Sequence, residues 1–208
     1  MIYSSAKRLL LTALAAVITA STLSACFPLV AGGMASGALL AADRRTSGAQ
    51  LEDEGIELRA VSRIRSAFGE RVHVNITSYN RQVLLTGEVG NAQDKTAVEQ
   101  LVAKVENAQS VVNERDVMAG STLGQRSSDT LVTGRVKAAM IDARDLQFNA
   151  FKVVTERGTV YLMGRVTQRE ADRATEVART TGDVLKVVRV FEILTEAELA
   201  RLQPPVNR

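Results

Sequence analysis

Val83-Leu84-Leu85-Thr86-Gly87-Glu88-Val89 returns 77 residues later as Val160-Tyr161-Leu162-Met163-Gly164-Arg165-Val166. Both stretches are apolar runs of strand length with a glycine at the same interior position. The match extends outward on each side. Upstream, Val74-Asn75-Ile76-Thr77 and Phe151-Lys152-Val153-Val154 share their apolar positions. Downstream, Val111-Val112 answers to Val187-Val188 with a slip of one residue. An internal repeat of this kind means that one small module, solved once, accounts for most of the chain.

Periodicity predicts helix, strand, strand, helix, strand in each copy. In the first, Leu58, Val61, Ile64 and Phe68 recur at helical spacing over 54–68, and 72–78 and 82–89 alternate as strands around a Tyr79-Asn80-Arg81 turn. A second helix is expected over 91–106, capped by Asn91 and apolar along Ala97, Val98, Leu101, Val102 and Val105, then a strand over 110–118. In the second copy the pieces are 129–141, 150–156, 159–166, 167–180 and 185–194, with Thr167 and Glu170 at capping-box spacing. The turn residue Gly158 stands where the first copy has Arg81, which leaves Asn80 to supply a left-handed residue there. The fold class is therefore α+β: two tandem αββαβ modules, 54–118 and 129–194, each a small mixed three-stranded sheet packed on two helices. Residues 119–128 read as a linker. Thr195 and Glu198 start a short C-terminal helix that Pro204-Pro205 stops, so 195–208 is helix and tail. Modules of roughly 65 residues bury little surface alone and should pack on each other.

The first 53 residues read differently. A basic start with Lys7 and Arg8, an uncharged Leu/Ala-rich stretch and small polar residues up to Ala25 are the zones of a signal peptide over 1–25. Leu23-Ser24-Ala25-Cys26 resembles a bacterial lipobox, which predicts diacylglyceryl modification of Cys26, the sole cysteine. Two or more acyl chains, of the palmitate kind, hold a protein on a bilayer where one would not. By resemblance to lipoproteins of Gram-negative bacteria, Phe27 rather than Asp after the cysteine implies export to the outer membrane, on its periplasmic face. Residues 26–53, with Ala31-Gly32-Gly33 and Arg44-Arg45-Thr46-Ser47-Gly48, are expected to form a lipidated flexible tether.

The repeated Val-x-Leu-x-Gly strand, followed by a helix and a Val-Val strand, resembles the BON domain. Asp129-Thr130, Val153, Thr155-Glu156, Gly158, Val160 and Leu162-Met163-Gly164 fit it closely, and the resemblance covers about 50–194. Two such domains behind a lipobox resemble the dual BON-domain outer-membrane lipoproteins of Gram-negative bacteria. That resemblance implies interaction with phospholipid and support of outer-membrane integrity, with enrichment at division sites.

Composition narrows the chemistry. The 208 residues are 46% hydrophobic and 4% aromatic, with one His, one Cys and no Trp. A multi-His zinc site or an internal disulfide has no residues to be made from. No catalytic residue, metal or cofactor is expected. The formal charge of +3 falls to 24 bases against 23 acids once 1–25 is set aside, which removes the case for nucleic acid as a partner. His73, in a predicted strand, reads as structural or exposed. Gly87 and Gly164 mark a bulge or the close approach of a facing helix, so with Gly158 they are structural glycines. On the first helix of the second copy, Val132, Val136, Ala139 and Met140 make the core face. Leu131, Arg135, Lys137 and Ala138 remain outside it: an apolar residue beside cations, as an interfacial contact with anionic phospholipid requires. The second copy carries 11 bases and 9 acids, the first 8 and 9, which favours the second for that surface. The alternative is a protein-interaction adaptor for outer-membrane assembly or cell-wall remodelling, with Leu131 and exposed strands meeting a protein partner.

Overall fold

Both copies form the expected ladders in the computed structural model, which describes residues 43–118 and 120–202. The signal peptide, Cys26, most of the tether and the tail after 202 lie outside the described residues. The first module comprises α1 (Ser47–Phe68), β1 (Val72–Tyr79), β2 (Gln82–Val89), α2 (Ala92–Ala103), β3 (Ser110–Asn113) and β4 (Asp116–Val117). The second comprises α3 (Leu123–Asp142), a 3-10 turn (Phe148–Ala150), β5 (Phe151–Glu156), β6 (Thr159–Thr167), α4 (Gln168–Arg179) and β7 (Lys186–Leu194), and α5 (Glu196–Leu202) follows. In each module a hairpin pairs antiparallel and the last strand joins it parallel, beside β2 or β6. The first sheet has four strands rather than three, because the expected strand 110–118 breaks at Glu114-Arg115 and β4 pairs with β2 separately.

Strands β2 and β6 are apolar almost without alternation because both their faces are covered. Val83 and Leu85 face α1 and α2 with Ile56, Ala60, Ile64, Val98 and Val102. Val160 and Leu162 face α3 and α4 in the same way. The residues between them, Leu84 in one sheet and Tyr161 and Met163 in the other, meet Tyr79 and Val190 in a third apolar cluster. The two sheets therefore stack on each other with the helices outside. Polar contacts close the seam: Arg157 donates to Glu88 at 2.7 Å, and Asn80 donates to Glu192, which also accepts from Arg165 of its own sheet.

Five differences from the sequence reading have local causes. Helix α1 starts at Ser47, not 54, with the Thr46 hydroxyl accepting from the Ala49 amide as its cap. Its buried row is Ile56, Ala60 and Ile64, an i, i+4 series one flank away from the expected one, so Leu58 is 72% exposed and Val61 is exposed too. Helix α3 starts at Leu123, inside the expected linker, because Thr122 and Gln125 form a capping box. The hairpin turns have two residues, with Tyr79 in the strand. Asn80 and Arg81 have φ of 49° and 65°, Arg157 and Gly158 of 49° and 71°, the left-handed pairs that such turns need. The approach comes from backbone, of β1 at Gly87 and of the 3-10 turn ahead of β5 at Gly164, not from the facing α-helix. A Cβ on Gly87 (φ +99°) would stand 2.4 Å from the His73 carbonyl oxygen, and one on Gly164 2.6 Å from that of Ala150.

Each turn is held from below by an aspartate on the first helix of its own module. Asp53 accepts from the Ser78 hydroxyl and from the Asn80 and Arg81 amides, all at 2.7 Å. Asp129 accepts from the Arg157 and Gly158 amides at 2.8 Å. Asp53, read from sequence as the end of the tether, is thus the counterpart of Asp129. Ahead of it, consecutive arginines reach opposite modules. Arg45 pairs with Asp43 and Asp53 over the Tyr79 ring, 4.1 Å from its centroid. Arg44 is buried against Glu170 of α4.

Arg115 stands where the second module has Phe191. Phe191 flanks Gly164 opposite Phe151, and the two rings meet edge-on at 6.0 Å. Arg115 is fully buried, donates to Asn113 and the Lys95 carbonyl, and leaves Nη1 without a partner. Burial pushes its guanidinium down to about 10. A buried cation without a carboxylate in contact opposes folding, so Arg115→Met should stabilise the protein by about 1–3 kcal/mol, read as a rise in the denaturation midpoint.

Candidate functional site

Helix α3 packs Val132, Val136 and Met140 inward, as the spacing predicted, and leaves Leu131 62% exposed. Its extra N-terminal turns reveal more than the sequence reading found. Leu123, Ser127, Leu131, Gly134, Ala138 and Ile141 repeat at steps of four and three residues, which places them on one side of a 3.6-residue helix. All six are exposed, with Leu123 at 81% and Ile141 at 58%, and none is charged. The result is an uncharged outer stripe along the 20-residue helix, opposite its core face. Leu123 was missed because it was assigned to the linker, and Ile141 because it closes the expected helix. The Thr122–Gln125 capping-box spacing was the signal that could have found the first.

The expected cations separate around this stripe. Arg135 borders Leu131 and Ala138 on one side and is ion-paired with Asp183 in the loop before β7. Lys137 lies about 120° around the helix from Leu131, on the opposite flank with Thr130 and Thr133. The loop that holds Asp183 also presents Leu185, 81% exposed, against Gly158. Ser128 and Val132 share a shallow cleft with Asp183 and Leu185, so this second exposed leucine sits beside the flank that carries Leu131. The Nη1 of Arg135 is thus already committed to Asp183, which leaves its other nitrogens for an anionic surface.

Other candidates have structural partners. His73 is half-buried in β1 directly across from Glu88, and its carbonyl is the one that Gly87 accommodates. Glu156 accepts from Asn75 across the seam. Burial raises its carboxyl above 4.5, the hydrogen bond from Asn75 opposes that, and nearby Glu88 and Asp129 add to the rise. Gly158 is the second left-handed residue of its turn. Among the described residues no group of His, Cys, Asp and Glu is arranged to hold a metal ion, and no helix is long and apolar enough to cross a membrane.

Comparison with known proteins agrees with this architecture. The BON domain family matches residues 57–118 and 128–195. Outer membrane lipoprotein DolP of Haemophilus influenzae is 35% identical over 174 residues, covering 83% of this chain and 90% of that protein. The 21 kDa hemolysin of Actinobacillus pleuropneumoniae is 31% identical over 151 residues, 72% of this chain and 78% of that one. Among solved structures, CdsD of the Chlamydia trachomatis type III secretion system aligns over 73% of this chain and 99% of its own, at 13% identity and a TM-score of 0.30. The two matched segments coincide with the two sheet-and-helix modules, and the DolP alignment spans most of the chain. The chain belongs to the BON domain family, as a two-domain member of its outer-membrane lipoproteins.

Proposed function

We propose that this is a lipid-anchored protein of the periplasmic face whose second module binds anionic phospholipid through the outer stripe of α3, supporting outer-membrane integrity. The observation that carries the reading is the uncharged row Leu123, Leu131, Ala138 and Ile141, exposed along a helix whose opposite face is core, with Arg135 and Lys137 on its two flanks. A helix of that pattern lies in the headgroup region with its apolar row inward and its bases toward phosphate. Acylation at Cys26 makes weak contacts sufficient. The 17 residues from Cys26 to Asp43 span at most on the order of 60 Å, which keeps the module at high local concentration over the bilayer. Resemblance to outer-membrane lipoproteins supports the placement.

Vesicle co-sedimentation tests this with soluble protein beginning after Cys26. Phosphatidylglycerol vesicles should retain it, and Leu131→Glu should weaken retention at least about tenfold, since burying a leucine contributes roughly 1.5–3 kcal/mol. Equal retention by phosphatidylcholine vesicles, or by the variant, refutes the reading.

A second reading, the adaptor, is favoured by one observation. Leu51 and Leu58 of α1 are more than 70% exposed on the outer side of the other helical layer, beyond the stacked sheets from α3. A photocrosslinker at Leu58 that captures one stoichiometric protein in intact cells, while vesicles stay bare, would favour it.

A further inference from the structure

The two modules differ at one place that the repeat makes easy to locate. In the second, the gap between the C-terminal half of α3 and the start of β5 is filled: Leu146, Phe151 and Val153 are buried, and Phe148 packs on them. In the first, the corresponding positions of β1 are Val74 and Ile76, and the residues after α1 are Gly69-Glu70. Val72, Val74 and Ile76 stay only half-buried, and a Cβ on Gly69 would meet nothing within 4 Å. The outcome is an open cleft of about 550 Å³ between α1 and β1, floored by these three residues with Val61 and Ile64.

Its rim is basic. Arg65 of α1 makes no side-chain hydrogen bond or ion pair with any described residue and is exposed. Arg126, which reaches over from α3, is fixed by Ser121 through Nε and Nη2, leaving Nη1 uncommitted. His73 of β1 also lines the cleft, and Glu70 is the one acid on the rim. A cleft of this size is in the range that takes small ligands, and an apolar floor under two guanidiniums selects an amphiphile with an anionic head.

We propose that the first module's cleft takes one acyl chain of an anionic phospholipid, its phosphate held by Arg65 and Arg126. This site is separate from the α3 stripe: it recognises a single chain, whereas the stripe recognises a surface. The basic rim favours an anionic head over a neutral one, and the acyl chain fills the volume that Phe151 fills in the second module.

The test uses the full acylated chain in vesicles containing phosphatidylglycerol with a photoactivatable group in its acyl chain, and mass spectrometry of the crosslinked peptides. Crosslinks should appear within 61–76 as well as on α3. Val74→Phe copies the second module's plug and should cut labelling of 61–76 at least tenfold while α3 labelling persists. Arg65→Glu, an exposed change that leaves the core alone, should reduce the same signal several-fold. Leu131→Glu should do the reverse, lowering labelling on α3 and sparing 61–76. The proposal is overturned if 61–76 is unlabelled while α3 is labelled, if phosphatidylcholine carrying the same group labels it equally, if neither Val74→Phe nor Arg65→Glu changes it, or if an acidic peptide is recovered there instead. Loss of α3 labelling with 61–76 still labelled would sink the stripe and leave the cleft standing.

Discussion

Asp53→Ala should lower the stability of the protein by about 3–5 kcal/mol, with the first module opening first. One carboxylate there accepts three hydrogen bonds at 2.7 Å, from the Ser78 hydroxyl and the two amides of the turn, and an ion pair from Arg45 at 2.9 Å. Deleting it orphans both turn amides in a place where Asp53 itself is buried, and unpaired buried donors cost roughly 1–3 kcal/mol each. The turn has no spare tolerance, since Asn80 and Arg81 are both left-handed without a glycine between them. Denaturant melts and amide exchange check the result: Asn80 and Arg81 should lose protection before the second hairpin does. Asp129→Ala should be milder, because Asp129 holds two amides and Gly158 adopts its conformation without strain. Equal and small effects at both positions would show that the hairpins hold their shape without the helices.

The comparison of these two aspartates shows what the sequence could carry. The repeat, the order of elements and the inward row of α3 follow from apolar spacing, because burial on one or two faces dictates it. The capping residues Asn91, Thr167 and Thr195 were likewise readable, since a side-chain oxygen at a helix start leaves a local signature. What was not readable depends on contacts far along the chain. Asp53 accepts from residues 25 to 28 positions away, so nothing near it in sequence separates it from a tether. Leu58 was placed in the core by its spacing to Val61 and Ile64. Ile56 and Ala60, which form the buried row, are less conspicuous because one of them is an alanine. Arg115 occupies a phenylalanine's place, Phe191 in the aligned repeat, but its full burial there follows from the packing of α2 and β2 around it. The site was half legible: Leu131 lies outside the core as expected, but the stripe needed helix turns that the linker composition concealed.

Arg44→Ala should cost about as much as Asp53→Ala, although Arg44 reads as a polar tether residue. Its guanidinium grips both oxygens of Glu170 at 2.6 and 2.8 Å, donates to the Arg165 carbonyl and reaches Gln147, with both partners of the pair over 90% buried. Removing the arginine strands a buried carboxylate that also closes the α4 capping box with Thr167, and breaking a buried pair from one side costs roughly 3–5 kcal/mol. Burial alone would push the Glu170 carboxyl up, but the bonds from Arg44 and Thr167 outweigh it and hold the group below 4.5. A depressed carboxyl contributes stability that is present above its unfolded value near 4.5 and lost as pH falls through the lower folded value. Wild-type stability should therefore drop below about pH 4.5, and part of that drop should vanish in Arg44→Ala, whose Glu170 no longer has its strongest partner. The double variant Arg44→Ala with Glu170→Gln separates charge from packing. If it is markedly more stable than Arg44→Ala alone, the penalty comes from the stranded carboxylate; if it is no better, Arg44 acts as filler between the incoming chain and α4. Arg44 and Arg45 tie the segment that precedes α1 to both modules at once, through Glu170 of the second and Asp53 of the first, so that loss of either arginine loosens the stacked pair as well as its own module.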